Sequence, residues 1–398
     1  MIEVKQAAPE EVGAALGAIG SYFGSPLEAE ELERLGTILP AERVLAAVDG
    51  GEIVGGAGAY LFDTTVPGGA QVATAGVMAV GVLPTHRRRG ALTAMMRRQL
   101  EDTHERGGEP IATLYAAEGG IYGRFGYGLA ALAGDIELPK EHARPWHDEP
   151  LGQARLLEPD ERVELLPAIY DLVQAETTGM FTRTREWWQV RRLRQRPGKP
   201  PGYAVVIELD DGAQAYALYR HEFGMRHMIS ESKLEVSEAL GTSPEALDAI
   251  WRYLLAIDWV ARIDAYWLPL DHPLFHWIRE PRRMACHVIE GLWVRLVDVE
   301  AALAARSLGE GSLVLDVRDE LCPWNQARWQ VEAGSVSSTT AAADLALDVA
   351  ALGSAYLGGF TFTGLALAGR VEELRPGAIA RADAIFGTTR QPWCPELF

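Results

Sequence analysis

Residues 43–62 read RVLAAVDGGEIVGGAGAYLF, small and apolar positions on both sides of Gly50-Gly51. That pattern predicts two antiparallel strands joined by a tight turn. AQVATAGVMAVGV, residues 70–82, reads as a third strand. After it Leu92, Met95, Met96, Leu100 and Thr103 fall on one face of a helical wheel, until Gly107-Gly108 stops the pattern. PIATLYA (110–116) returns as a strand, so strand, helix and strand form a βαβ unit, which is normally right-handed.

The polar, proline-bearing stretch Glu141–Gln153 marks a first boundary. Beyond it come a helical LPAIYDLVQAE, a basic REWWQVRRLRQRPGKPPG and a hairpin, YAVVIELDDGAQAYALYR, turning at Asp211-Gly212. An amphipathic SPEALDAIWRYLLAIDWV and a strand RIDAYWLPL complete a second α/β region. From Val288 a third region holds strands in SLVLDVRDELCPWNQARWQVEAG and a helix over AADLALDVAALGSAYLGG. The expected domains are 1–140, 141–287 and 288–398.

Composition narrows the function classes. A net charge of −18 disfavours nucleic acid and anionic membranes as partners and suits cationic small molecules or basic peptides. The longest weakly polar run, Val72–Pro84, falls short of the roughly 18 residues of a membrane span. The first residues, MIEVKQAAPEEV, lack the pattern of a secretory signal, so a cytoplasmic location is expected. Cys286, Cys322 and Cys394 lack metal-ligand spacing and read as buried free thiols; no metal is expected. Trp187 and Trp188, with Arg191, Arg192, Arg194 and Arg196, read as a helix packing face with a solvated or inter-subunit rim.

The strongest chemical signal is Val80–Leu100, VGVLPTHRRRGALTAMMRRQL. Arg87, Arg88 and Arg89 crowd the start of a helix, where the dipole makes each cation cost about 0.3–1 kcal/mol. Either they are solvated and paired with surface carboxylates, or they surround an anion. The first N–H groups of a helix have no intrahelical partners and form an anion site. Gly90 allows close backbone approach, and guanidinium groups add charge-assisted bonds to phosphate oxygens.

The spacing V-x-V-x-x-x-x-R-R-x-G before an amphipathic helix resembles the acetyl-CoA loop of GCN5-related N-acetyltransferases (GNAT). LYAAEGGIYGRFGYG (114–128) resembles that fold's second signature. PTHRRRG, EGGIYGRFGYG, CPWNQARW and the terminal PWCPELF, in this order, resemble the Eis (enhanced intracellular survival) subfamily along the full length. The resemblance implies an α/β and α+β chain: two GNAT-like domains, the second degenerate, and a sterol-carrier-protein-like domain carrying a catalytic C-terminus.

It also implies an acetyl-CoA-dependent N-acetyltransferase acting on amines of polycations such as aminoglycosides, or on lysine side chains, by direct transfer. Motif matching places coenzyme contacts on the main chain of Val80, Gly81 and Val82. The phosphate cradle falls on Arg88, Arg89, Gly90, Ala91, Leu92 and Thr93, with Arg87 adjoining. Ala117 and Glu118 supply a further contact. Leu92 departs from the small residue common there, which a backbone cradle tolerates if the side chain points into the core.

The family's general acid falls on Tyr122, and the base, a C-terminal carboxylate, on Phe398. Tyr127 and Phe125 read as packing residues, and Glu396 either adds negative charge at the pocket or, the plainer reading, is a solvated carboxylate. Acceptor-pocket walls are expected from Gly20–Leu39, and a homo-oligomer, a homohexamer in the family, is implied. The rivals are a lipid- or sterol-binding protein and an acetyl-CoA sensor without turnover.

Overall fold

The computed structural model describes residues 2–24, 28–195 and 198–398. Two compact units emerge: residues 1–131, 292–389 and 396–398 form one, and 132–291 with 390–395 the other.

The first unit holds strands β1 (Glu3–Gln6), β2 (Val44–Asp49), β3 (Glu52–Thr65), β4 (Gln71–Val82), β5 (Ile111–Leu114) and β6 (Gly128–Leu129). Its helices begin with α1 (Val12–Phe23), α2 (Ala29–Leu35), α3 (Ala91–Arg106) and α4 (Gly119–Tyr122). The β2–β3 hairpin forms as expected, with Gly50 and Gly51 at φ +61° and +90°. β4 and β5 are parallel with α3 between them. In α3, Met95, Met96, Leu100 and Thr103 are buried as the periodicity predicts, and Leu92 packs partly buried against the same core.

α1 lies directly on the β3–β4 backbone. A Cβ at Gly56 would overlap the Ala15 carbonyl, and one at Gly81 would come 2.7 Å from the Ile19 nitrogen. The small residues of both elements therefore serve close helix–sheet packing. Positions 25–27 of the stretch Gly20–Leu39, and Arg196 of the basic stretch, lie outside the described residues.

The sheets depart from the expected divisions at 140/141 and 287/288. Strand Leu132–Pro139 pairs with Arg262–Leu268 and His287–Glu290 in the second unit. Trp293–Leu296 instead enters the first sheet between β5 and β6. Each sheet is completed by a strand distant in sequence, which local composition cannot reveal.

A five-stranded sheet in the first unit runs in the order 335–339, 327–332, 312–318, 345–348, 371–373. The helix expected over 342–359 is corrected. Leu345–Asp348 is a strand parallel to 312–318, and the helix is Val349–Tyr356. Asp348 caps it by accepting from the Ala351 N–H at 2.7 Å. This helix sits on the first sheet's backbone: a Cβ at Gly353 would overlap the Val294 carbonyl, and one at Gly128 that of Ala350.

The second unit's seven strands run 287–290, 132–139, 262–268, 233–241, 212–222, 202–209, 153–156. Helix Pro244–Ala256 follows Gly241-Thr242-Ser243, so no arginine–glycine turn precedes it, and Ser243 caps it. Trp187 and Trp188 are buried, as a packing face requires. Trp393 joins the core of this unit and donates its indole N–H to the Trp267 carbonyl. Cys322 and Cys394 are buried, but Cys286 is exposed, against expectation.

Candidate active site

The site grows from a defect in the first sheet. β4 and β5 share only a short parallel ladder, Thr74–Gly76 with Ile111–Thr113. Further along, the β3–β4 register passes from Gly58–Met78 to Gly56–Gly81, two steps on β3 against three on β4. The extra residue is a bulge, with Ala79 at φ +50°. β4 thus leaves β5, and Val77–Val80 have no partner strand on that side. A parted pair of parallel strands offers main-chain donors and acceptors to an extended ligand.

β4 leads into the arginine turn. Arg88 adopts φ +63° and Gly90 φ +89°, both left-handed, before α3 starts at Ala91. No side chain caps α3 and no acidic residue occupies its first turn, so the leading N–H groups of Ala91, Leu92 and Thr93 face outward without a side-chain acceptor. A Cβ at Gly90 would meet open space, so the glycine answers to φ and leaves a hollow at the helix mouth. Arg87, Arg88 and Arg89 are exposed, with Arg89 donating to Asp49 at 3.2 Å. Arg89 is thus partly matched by a surface carboxylate. The open hollow and the uncapped helix fit a diphosphate.

Among the coenzyme candidates, Val80 and Val82 are half-buried and Gly81 is buried. The absent side chain at Gly81 makes room for α1. Ala117 and Glu118 are exposed just beyond β5, and Glu118 is the N-terminal cap position of α4. The residues assigned to coenzyme thus line the C-terminal ends of the two parted strands.

Tyr122 ends α4 and is buried in a cluster with Ala75, Val77, Leu114, Met96 and Phe125. Tyr127 lies edge-on to it, ring centroids 6.1 Å apart. Burial raises the Tyr127 phenol far above its ordinary range, and its hydroxyl has no hydrogen-bond partner. Tyr127→Phe is therefore expected to hold or raise the melting temperature, since an unpaired buried polar group costs about 1–3 kcal/mol. Acetyl transfer should stay within about twofold of the parent rate; a tenfold loss would place Tyr127 in the chemistry.

Ala75 and Val77 face Tyr122 and α3, so Gly76 between them faces the other side of the sheet. There the Phe398 ring sits 5.2 Å from Phe62, 5.4 Å from Tyr115 and 6.1 Å from Tyr60, centroid to centroid. A Cβ at Gly76 would overlap Phe62 and reach within 3.3 Å of Phe398. Thr113, paired with Gly76 on the last rung, keeps a buried hydroxyl without a partner. Tyr122 and Phe398 thus flank, from opposite faces, the region where β4 and β5 part. Glu396 is buried, correcting the expected solvated carboxylate, while Leu397 is exposed.

The sequence reading missed the aromatic cage of Tyr60, Phe62 and Tyr115. Its only signal was aromatics at alternating strand positions, which reads equally as core. It also missed Arg295, which is wholly buried and donates to Asp319 at 2.7 Å. Asp319 also accepts from the Cys322 N–H and the Asn325 side chain, both at 3.0 Å. Gly126 makes room for this guanidinium, since a Cβ there would lie 2.7 Å from it. Burial pushes the Cys322 thiol up to about 11, so it is not a thiolate nucleophile.

Comparison with known proteins bears on the fold and the family. Residues 3–130 and 179–296 each match a family described as "Acetyltransferase (GNAT) domain", and 299–395 match "Sterol carrier protein domain". The N-acetyltransferase Eis of Mycobacterium tuberculosis is 34% identical, covering 88% of both chains. A Streptomyces avermitilis protein named "Uncharacterized N-acetyltransferase" is 38% identical, covering 94% of both. The crystal structure of Eis1 from Mycobacterium abscessus superposes with TM-score 0.89 at 37% identity, covering all of both chains.

Fold and site define an N-acetyltransferase of the GNAT class, enzymes that use acetyl-CoA. Within that class the chain belongs to the Eis family, with two GNAT domains followed by a sterol-carrier-like domain.

Proposed function

We propose that this enzyme moves an acetyl group from acetyl-CoA directly to an amine of a soluble polycation, with aminoglycosides the leading acceptor class. The observation that carries the reading is the parting of β4 from β5, which joins the arginine turn at one end to Tyr122 and Phe398 at the other. The pantetheine arm would bond the main chain of Val80, Gly81 and Val82, with a further contact at Ala117 and Glu118. Its diphosphate would rest on Arg88, Arg89 and the N–H groups of Gly90, Ala91, Leu92 and Thr93.

Transfer needs a neutral amine, a stabilised oxyanion and a proton for the departing thiolate. A phenol's ordinary pKa is about 10 and a thiol's about 8.5, so Tyr122 would deliver that proton only from direct or water-bridged contact. The terminal carboxylate of Phe398 is a weak base, and its role would be to hold the ammonium and receive its proton through water. A net charge of −18 draws polycations toward the enzyme. By family resemblance we extend the proposal to three regions (1–140, 141–287 and 288–398, apart from the exchanged strands) and to a cytoplasmic homohexamer. Among the described residues no helix is long and apolar enough to cross a membrane.

The deciding experiment is release of coenzyme A thiol with a panel of aminoglycosides, polyamines and lysine peptides. Acetylated product with at least one aminoglycoside supports the reading. Coenzyme binding without thiol release would leave the sensor; copurified lipid without coenzyme binding would leave the lipid carrier. Arg88→Gln is expected to raise KM for acetyl-CoA about tenfold at near-constant kcat, the loss of one charge-assisted phosphate contact.

A further inference from the structure

The second unit carries a basic cleft that acetyl transfer does not use. Helix Pro159–Glu176, turn Trp188–Arg192 and strand Gly212–Glu222 each send one arginine to it: Arg162, Arg192 and Arg220. Arg194 also lines this open cleft. Leu218 belongs to the core under helix 159–176 while Tyr219 faces helix 244–256, so alternation turns Arg220 toward the first of these. Hairpin and covering helix correspond to β2–β3 and α1. Arg220 stands one rung from the register position of Tyr60, since Tyr219 and Tyr60 each pair with the final rung of the parallel ladder. Where the first sheet gathers aromatic rings, the second gathers guanidinium groups.

Their charge is only partly matched. Arg162 is held by the carbonyls of Leu157 and Gly202, at 3.2 and 3.1 Å, which fix its orientation without neutralising it. Arg220 comes no nearer than 3.9 Å to Glu235, too far for a hydrogen bond, and its buried Nε has no partner. Arg192 pairs with Glu238, but that carboxylate also serves Arg183. Glu222 alongside is taken by Lys199 at 2.9 Å. Three cations from three elements, two held without a hydrogen-bonded carboxylate, lie together in a chain whose net charge is −18. Such convergence is unfavourable unless an anion completes it. Guanidinium forks match the oxygens of phosphate and carboxylate.

We propose that this cleft binds a small oxyanion, the phosphate or carboxylate group of a soluble metabolite, as a second ligand site of the enzyme. The test titrates full-length protein calorimetrically with inorganic pyrophosphate and, separately, citrate. Coenzyme A is kept saturating so that the turn before α3 does not report. One equivalent should bind per chain, weakening as salt is raised from about 50 to 300 mM. Arg220→Gln should weaken it about tenfold or more, the loss of one charge-assisted contact, while melting temperature holds, because that side chain makes no close ion pair. Arg162→Gln, checked for folding by its melting curve, should do the same. Preference for pyrophosphate or for citrate identifies the ligand's head group. Absence of binding, or an affinity indifferent to Arg220→Gln, overturns the proposal.

Discussion

Adding one residue after Phe398 is expected to lower turnover about tenfold or more while affinity for coenzyme A stays constant. The Phe398 ring is caged by Tyr60, Phe62 and Tyr115 and rests against Gly76. An appended residue leaves that cage available to the ring but moves the terminal carboxylate by about 3.8 Å, one Cα spacing. Misplacement of a reacting group by about 1 Å already costs on the order of a hundredfold. Tyr122→Phe is the companion change. It keeps the ring in the Ala75–Val77–Leu114 cluster and deletes only the hydroxyl. The expected loss is again about tenfold or more in kcat, with KM for acetyl-CoA little changed. Thiol-release kinetics checks both, and calorimetry with coenzyme A confirms that the cradle survives. Full activity in the extended chain would remove the Phe398 carboxylate from the mechanism and leave Tyr122 as the proposed proton donor.

What the sequence disclosed was local. The Gly50-Gly51 hairpin, the buried stripe of α3 and the arginine turn depend on residues within one or two turns of each other. The resemblance of four short stretches then reached the family, because those stretches are where backbone and ligand chemistry leave least freedom. The bulge at Ala79 was hidden: a strand's alternation stays apolar whether or not one residue is extra. Leu345–Asp348 reads as helix because small and apolar residues stand on both sides of Asp348, and only that cap marks the change.

Other features rest on long-range packing. Trp293–Leu296 could have been placed in its own region's sheet; its pairing with β5 and β6 was not written in its composition. Arg295 would ordinarily be assigned to the surface, and its bonds to Asp319 and the Leu296 carbonyl, with the vacancy at Gly126, make its burial tolerable. Gly81 is the instructive case. Its neighbours belong to the proposed coenzyme edge, yet the reason for glycine there is the helix pressed against it. A residue can stand in a binding motif and still owe its identity to packing.

The largest stability effect is expected at Glu238. Its carboxylate is fully buried and accepts from Arg183 at 2.6 and 3.0 Å, from Arg192 at 2.6 Å and from the Tyr216 hydroxyl at 2.5 Å. Burial alone would raise its pKa, but the two guanidinium charges with the Arg183 and Tyr216 hydrogen bonds outweigh burial and hold it at about 2. Glu238→Gln removes the charge and leaves Arg183 buried against Tyr170 and Trp188, 3.7 and 4.6 Å from their rings. Breaking such a pair costs about 3–5 kcal/mol. Because the folded pKa lies below the ordinary value of 4.5, the contribution is complete above that pH and fades as pH falls toward 2. The urea midpoint of Glu238→Gln, followed by tryptophan fluorescence, should therefore lie well below the parent's at pH 7. By pH 3 the gap should shrink to about half or less. A gap of constant size across that range would mean that the Glu238 charge is not what holds Arg183 and Arg192 in place.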